Sequence, residues 1–281
     1  MRNEWLSTCT LTMQGPVNRQ DVVLKLTGSR SVMEAHLPTN PGPIASLTPC
    51  GGGQCASVCA ECRVRLYAVC AALDRDEINE LERITQHISL PAKTALFHAG
   101  DAAASVYTVT SGTLRLQRDL ADGRRQVIGF AIPGDFIGLA MDDHFGFSAD
   151  SLTPVNLCRF DRQAFARLAH EKHGLMGRLH DFASHELGLA QEHMVVLGRR
   201  RAEERVAAFL LRWRERMARL TGASATLALP MGRQDIADHL GLTIETVSRT
   251  LARWMREKVI LDVPDGIRIL DQARLEETVA G

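Results

Sequence analysis

Residues 55–70, CASVCAECRVRLYAVC, place four cysteines within sixteen positions, and Cys50 precedes them. Thiolates at this density could cage a metal, work as a redox dithiol across Cys59-x2-Cys62, staple the chain as disulfides, or carry no chemistry. Four thiolates satisfy a tetrahedral zinc ion, and one thiolate per iron satisfies an iron–sulfur cubane, so spacing leaves both open. The chain holds seven cysteines, the remaining two being Cys9 and Cys158.

A second stretch, RQDIADHLGLTIETVSRTLARW (233–254), has the chemistry to read nucleic acid. Ile236, Ala237 and Leu240 form the inner face of a first helix. Gly241 permits a tight turn, Leu242 plugs it, and Thr243 caps a second helix. On that helix Val247, Leu251 and Trp254 point inward, while Glu245, Ser248 and Arg249 share the opposite face near its start. Recognition helices contact base edges there: a carboxylate accepts from cytosine N4, a guanidinium donates twice to guanine, and a hydroxyl does either. Arg253, Arg256 and Lys258 extend positive charge toward phosphates.

These two stretches need a scaffold. The 281 residues allow one large or two medium domains, 45% hydrophobic content supplies a core, and 33 basic residues balance 33 acidic ones. Net charge therefore points to no partner. The first residues lack a signal peptide's apolar run, and residues 35–60, although free of charge, are broken by Gly, Pro and Ser. The expectation is a soluble cytoplasmic protein with no membrane span, which argues against a disulfide framework. The ten histidines show no metal-ligand spacing.

Residues 1–54 read as a flexible arm. Asp74 and Glu77 make a capping-box pattern that opens a helix over Asp74–His87. From Ser89 to Phe160, short β-rich runs (SVYTVT, TLRLQRDL, RQVIGFAI) alternate with glycine turns, the pattern of an antiparallel β-roll. Asp161 caps a short helix carrying Phe165 and Leu168. A long helix over 175–197 follows, with Met176, Leu179, Ala183, Leu187, Ala190, Met194 and Leu197 along one stripe. Leu175, Phe182, Leu189 and Val196 make a second stripe, so the helix needs two partners, and the first stripe reads as a dimer seam. Beyond it, Val206, Phe209, Leu210, Trp213 and Met217 face a core, and a hairpin around Pro264–Gly266 completes a winged helix-turn-helix. The domains are an arm (1–54), a cysteine segment with the β-roll (55–170), a dimerisation helix (171–198) and a DNA-binding domain (199–281). The fold class is α+β, with a cyclic-nucleotide-binding-like roll.

Taken together, the cysteine cluster, LFHAGD, VTSGTLRL, PGDFIGL, AEERVAAFLL and LGLTIETVSRTL resemble the CRP/FNR superfamily of bacterial transcription regulators, and within it the oxygen-sensing FNR branch. The resemblance covers roughly residues 55–275. It implies a homodimeric regulator, an activator working with RNA polymerase and no enzyme. Glu245, Ser248 and Arg249, with Thr243, Arg253 and Arg256 around them, would read an inverted repeat of the TTGAT…ATCAA kind. It further implies a [4Fe–4S] cluster as cofactor, and the best match to that branch's ligands is Cys59, Cys62, Cys70 and Cys158. Cys55 also has a plausible ligand spacing to Cys59. Structural zinc, sensing of nitric oxide or redox state, and an iron–sulfur or dithiol redox enzyme are the alternatives. Relatives that bind cyclic AMP hold its phosphate with a Gly-Glu pair and an arginine. Here PGDFIGLAMDDHFGFSAD has no arginine and carries Asp135, Asp142 and Asp143, so no cyclic nucleotide is expected.

Overall fold

The computed structural model describes residues 58–59, 61–139, 143–222, 224–264 and 266–280, and the backbone of two short strands upstream. The chain divides into two units, Met1–Ile44 and Ala45–Gly281. In the first, β1 (Leu24–Lys25) pairs antiparallel with β2 (Glu34–Ala35). The rest of the segment read as an arm lies outside the described residues.

In the second unit a 3-10 turn over Val69–Ala72 leads into α1 (Arg75–Arg83). Asp74 accepts from the amides of Asp76 and Glu77 at 2.9 Å each, and the Glu77 carboxylate accepts from the Asp74 amide at 3.1 Å, closing the capping box. The helix expected to run to His87 stops at Arg83, and Thr85–Leu90 forms β3. The Thr85 hydroxyl donates to the Leu81 carbonyl at 2.7 Å and ends the helix. Ile84, Thr85 and Ile88 are β-branched, and pairing with a neighbouring strand suits them better than a further turn.

The roll continues as β4 (Ala95–Phe97), β5 (Ser105–Ser111), β6 (Leu114–Asp119), β7 (Arg125–Ala131), β8 (Phe136–Ile137), β9 (Ser148–Ser151) and β10 (Val155–Asp161). These strands make two four-stranded antiparallel sheets, ordered β3-β10-β5-β8 and β4-β9-β6-β7. Both sheets contribute to one core, in which Val109, Leu114, Ala149, Val155 and Leu157 are almost fully buried. Each of these valines and leucines contributes roughly 1.5–3 kcal/mol on burial.

Asp161 caps α2 (Arg162–Glu171) through the Ala164 amide at 2.8 Å, and α3 (His173–Arg199) follows. The rest is α4 (Ala202–Thr221), β11 (Leu227–Ala228), α5 (Arg233–Leu240), α6 (Ile244–Arg256), β12 (Ile260–Val263), β13 (Gly266–Ile269) and α7 (Gln272–Ala280). Its core joins Val206, Leu210, Trp213, Ile236, Leu240, Val247, Leu251 and Trp254. The Trp213 indole donates to the Ala228 carbonyl at 2.8 Å, so the wing's first strand is tied to α4. This is the expected α+β class: a β-roll, a long helix and a winged helix-turn-helix. Among the described residues no helix is long and apolar enough to cross a membrane.

Where α3, α5 and the roll meet, the His193 and His239 rings stack at 4.3 Å, and His239 Nδ1 lies 3.1 Å from the Val127 carbonyl. Burial, followed by repulsion from His193, lowers the His239 pKa to about 3. An unfolded histidine protonates near pH 6.5, so below that point the unfolded chain takes up a proton the folded one refuses. Stability is therefore full above about pH 6.5 and falls as pH drops toward the folded value. His239→Gln keeps a donor for Val127 and is expected to flatten the fall in melting temperature between about pH 6.5 and 5. Parallel declines in the parent and the variant would overturn this account.

Candidate functional site: the reading helix and the cysteine pocket

The reading helix α6 begins where a left-handed Gly241 (φ 60°) ends α5, a conformation that suits glycine. The Leu242 amide donates to the Ala237 carbonyl at 3.0 Å, and Thr243 Oγ1 accepts from the Thr246 amide at 3.2 Å. Val247, Thr250, Leu251 and Trp254 are buried, which fixes the helix's rotation. Glu245 and Arg249 consequently face solvent, with Ser248 half-buried beside them. The Glu245 carboxyl is held below the usual range by its own backbone amide first, then by the Thr243 hydroxyl and Arg249. It is an ionised acceptor at neutral pH.

Arg256 and Lys258 are exposed beyond the reading face. Arg253 is placed differently: its guanidinium pairs with Glu203 at the start of α4 and lies 3.7 Å from Glu257. In this structure it braces α4 against α6 and offers no free charge to a phosphate. The wing supplies a cation that the sequence reading passed over, Arg268, which is exposed on β13 between the inward Ile267 and the half-buried Ile269. Strand alternation in GIRI was the available signal.

The cysteine pocket is built from three segments. Cys59 lies in a turn anchored by the Val58 amide, which donates to Glu82 Oε1 at 3.0 Å. Cys62 opens the next turn, its carbonyl accepting from the Arg65 amide at 3.1 Å, while Arg65 Nη2 donates to the Leu73 carbonyl at 2.7 Å. Cys70 lies in the 3-10 turn, and Cys158 is on β10 opposite His87, with Sγ 3.7 Å from the His87 Nδ1. Cys59 and Cys158 are buried among Val69, Leu73, Ile78, Leu81 and Phe160, and Cys70 packs against the same cluster. Cys9, Cys50 and Cys55 lie outside the described residues.

Burial pushes the Cys59 thiol up to about 12, with further repulsion from Glu82, Cys70 and Cys62. Burial and Cys62 raise Cys70 to about 11. Cys158 is raised too, by burial and then by Cys59, Cys62 and Cys70. The four thiols are thus close enough to feel one another's charge. Among the described residues, however, no three His, Cys, Asp or Glu side chains converge tightly enough to hold a single metal ion.

The pocket touches α3 directly. A Cβ on Gly174 would lie 3.0 Å from the Ala72 carbonyl, so glycine is what lets the 3-10 turn pack against the helix start. Along α3, Leu175 and Val196 are buried and Phe182 and Leu189 half-buried against the chain's own core. Met176, Ala183, Leu187, Ala190 and Met194 are exposed, Leu187 and Met194 by 59% and 62%. Two residues of the expected seam lie elsewhere: Leu179 packs against the cysteine-pocket core, and Leu197 is half-buried beside Gly241.

Inside the roll, Phe97 stacks on Phe145 at 3.8 Å and lies 5.9 Å from Tyr107. Asp135 is not a free charge: it pairs with Arg216 at 2.6 Å and accepts from the Ile132 amide at 2.8 Å. The repulsion argument against an anionic ligand is weaker at this residue than the sequence suggested. Asp143 is exposed, and Asp142 lies outside the described residues.

A β-roll joined by a long helix to a winged helix-turn-helix, with an open reading face, defines a DNA-binding regulator. Residues 204–278 match the Crp-like helix-turn-helix domain and residues 87–172 the cyclic nucleotide-binding domain. The chain is 51% identical to the transcriptional activatory protein AadR of Rhodopseudomonas palustris, over 83% of this chain and 96% of that protein. It is 46% identical to the nitrogen fixation regulation protein FixK of Bradyrhizobium diazoefficiens, over 79% of this chain and 94% of that one. The solved structure of FixK2 from Bradyrhizobium japonicum superposes with a TM-score of 0.66 at 32% identity, covering 70% of this chain and 98% of its own. The chain belongs to the CRP/FNR family of DNA-binding transcription regulators, and it is not an enzyme.

Arg249→Ala is expected to lose about 1–3 kcal/mol on the preferred DNA site and much less on random DNA. Arg256→Ala should weaken both about equally, as a phosphate contact would. Fluorescence anisotropy with the two duplexes checks this, and equal losses for Arg249→Ala would remove it as a base reader.

Proposed function

We propose that this regulator senses oxygen through a [4Fe–4S] cluster held by Cys59, Cys62, Cys70 and Cys158. On this reading it binds, as a homodimer in the cytoplasm under low oxygen, an inverted repeat of the TTGAT…ATCAA kind and activates transcription with RNA polymerase. The observation that carries the reading is that Cys59, Cys70 and Cys158, from three separate segments, share one apolar core, with Cys62 near enough to repel each of them. Burial makes Cys59, Cys70 and Cys158 resist ionisation, and a cationic iron–sulfur core is what would stabilise them as thiolates. Four thiolates would equally satisfy a tetrahedral zinc, so metal analysis of the purified protein separates the two. A cubane would take one thiolate per iron, which these four cysteines supply. When bound, it would supply the oxygen-reactive group.

The chain's own residues do the rest. Cys70 lies in the turn that meets α3 at Gly174, and Leu175 is buried in the pocket's core. Losing a ligand at Cys70 frees this turn and with it the start of the helix. The exposed stripe of Met176, Ala183, Leu187, Ala190 and Met194 is the proposed dimer seam. Its alanines add little burial energy beside the roughly 1.5–3 kcal/mol of a buried Leu or Met, so the seam is marginal and open to control. The aromatic filling around Phe97 and Phe145 supports a roll that works without a cyclic nucleotide.

Serine at Cys59, Cys62, Cys70 or Cys158 should strip iron and sulfide from anaerobically purified protein, whereas serine at Cys9 or Cys50 should leave both, and Cys55 should behave likewise. Anaerobic protein that holds zinc and no iron would overturn the cluster. Leu187→Glu places like charges across the two-fold axis and should mimic oxygen, giving monomers that release DNA. Sedimentation before and after a measured pulse of air tests the coupling. A dimer and a DNA affinity that both survive cluster loss would rule it out.

A further inference from the structure

The reading domain is fastened to the roll of its own chain by charge. Arg115 on β6 and Arg125 on β7 reach across to α5. Arg115 Nη1 donates to Asp235 Oδ1 at 2.5 Å, and its Nη2 donates to Asp150 on β9 at 2.6 Å. Arg125 Nη2 donates to Asp238 Oδ2 at 2.5 Å and to Asp235 Oδ1 at 3.0 Å, with Nε adding a 2.9 Å bond to Asp238. The side chains are only 12–26% exposed, so water screens them poorly. Asp235 also accepts from the Gly232 amide at 3.0 Å, which ties the network to the first turn of α5. Beside it, Gln126 Nε2 donates to the His239 carbonyl at 3.3 Å.

This contact leaves Glu245 and Arg249 exposed, so the fastened arrangement is one in which DNA can be read. It also neutralises two carboxylates on the helix that leads into the reading helix. Unpaired, Asp235 and Asp238 would add negative charge to the domain that meets the phosphate backbone, and such charge acts over a Debye length of about 10 Å.

We propose that Arg125 is a positioning residue for DNA reading: its bridge to Asp235 and Asp238 holds α5, and through it α6, on the roll and masks two carboxylates of the reading domain. The proposal needs DNA binding only and stands with or without a metal at the cysteines. The test measures anisotropy titrations of the full chain with a TTGAT…ATCAA duplex and with a random duplex. Arg125→Glu is expected to weaken binding to both by at least roughly tenfold, the scale of a partly buried charge pair. It should also change the salt dependence, because unmasked carboxylates oppose phosphates. The double variant Arg125→Glu with Asp238→Arg restores an opposite-charge pair and should recover most of the affinity, a rescue that lost packing would not give. If Arg125→Glu fails to fold by circular dichroism, Arg125→Gln, which only removes the charge, should show a smaller loss in the same direction. Parental affinity in a folded Arg125→Glu or Arg125→Gln, or a folded double variant no better than the single, would overturn the proposal. A parent that binds both duplexes equally would count against the TTGAT assignment alone, since the expected losses are read on either duplex.

Discussion

A helix of 27 residues with apolar side chains on more than one stripe must find more than one surface to cover them. That constraint on α3 organises the molecule. Leu175 is committed to the cysteine pocket's core and Val196 to the core of the reading domain, so the two ends of one rigid rod are set in two different bodies. What is left over, the stripe of Met176, Ala183, Leu187, Ala190 and Met194, faces outward. A rod anchored at both ends transmits a shift at either one, because a packed core tolerates displacement poorly.

The reading domain was the most legible part of the sequence, and the reason is locality. Cap, turn glycine, inner face and outer face of α5 and α6 all fall within 22 consecutive residues, where propensity and periodicity act together. The end of α1 was misread because helix periodicity runs on through Ile84 and Ile88, and only the pairing of β3 with β10, some 70 residues away, decides otherwise. Arg253 shows the same limit. Its place on an exposed helix face suggests a phosphate contact, but Glu203 on α4 claims it. Arg115 and Arg125 could not be read at all, since their partners lie more than 100 residues onward. The four thiols gave no geometric answer either; the resemblance singled them out, and the fold brings them to one pocket.

Charge is distributed with a similar economy. The formal balance is zero, with 33 cations against 33 anions. Several arginines that might serve DNA are consumed internally: Arg115 and Arg125 on α5's aspartates, Arg216 on Asp135, and Arg205 on the Leu197, Arg200 and Leu240 carbonyls. Arg233, Arg256, Lys258 and Arg268 stay exposed and can meet phosphates, but such contacts carry no sequence information. On the proposed reading, selectivity must then come from base contacts by Glu245, Ser248 and Arg249, doubled if two subunits read two half-sites.

That dependence on geometry gives the interior ion pairs their importance. A protein that held DNA mainly by charge could tolerate a loosely hung reading helix, since phosphates accept contacts from many angles. One that relies on a few base-edge contacts per subunit cannot, because a hydrogen bond to a base edge weakens steeply with misalignment. The reading helix is therefore oriented from two sides. The α3 rod approaches through Leu197 beside Gly241, and the roll approaches through Arg115 and Arg125 on α5. Loosening either support is expected to cost alignment before it costs folding, and on the proposed reading this is how a change at the distant cysteine pocket would reach the DNA without touching it.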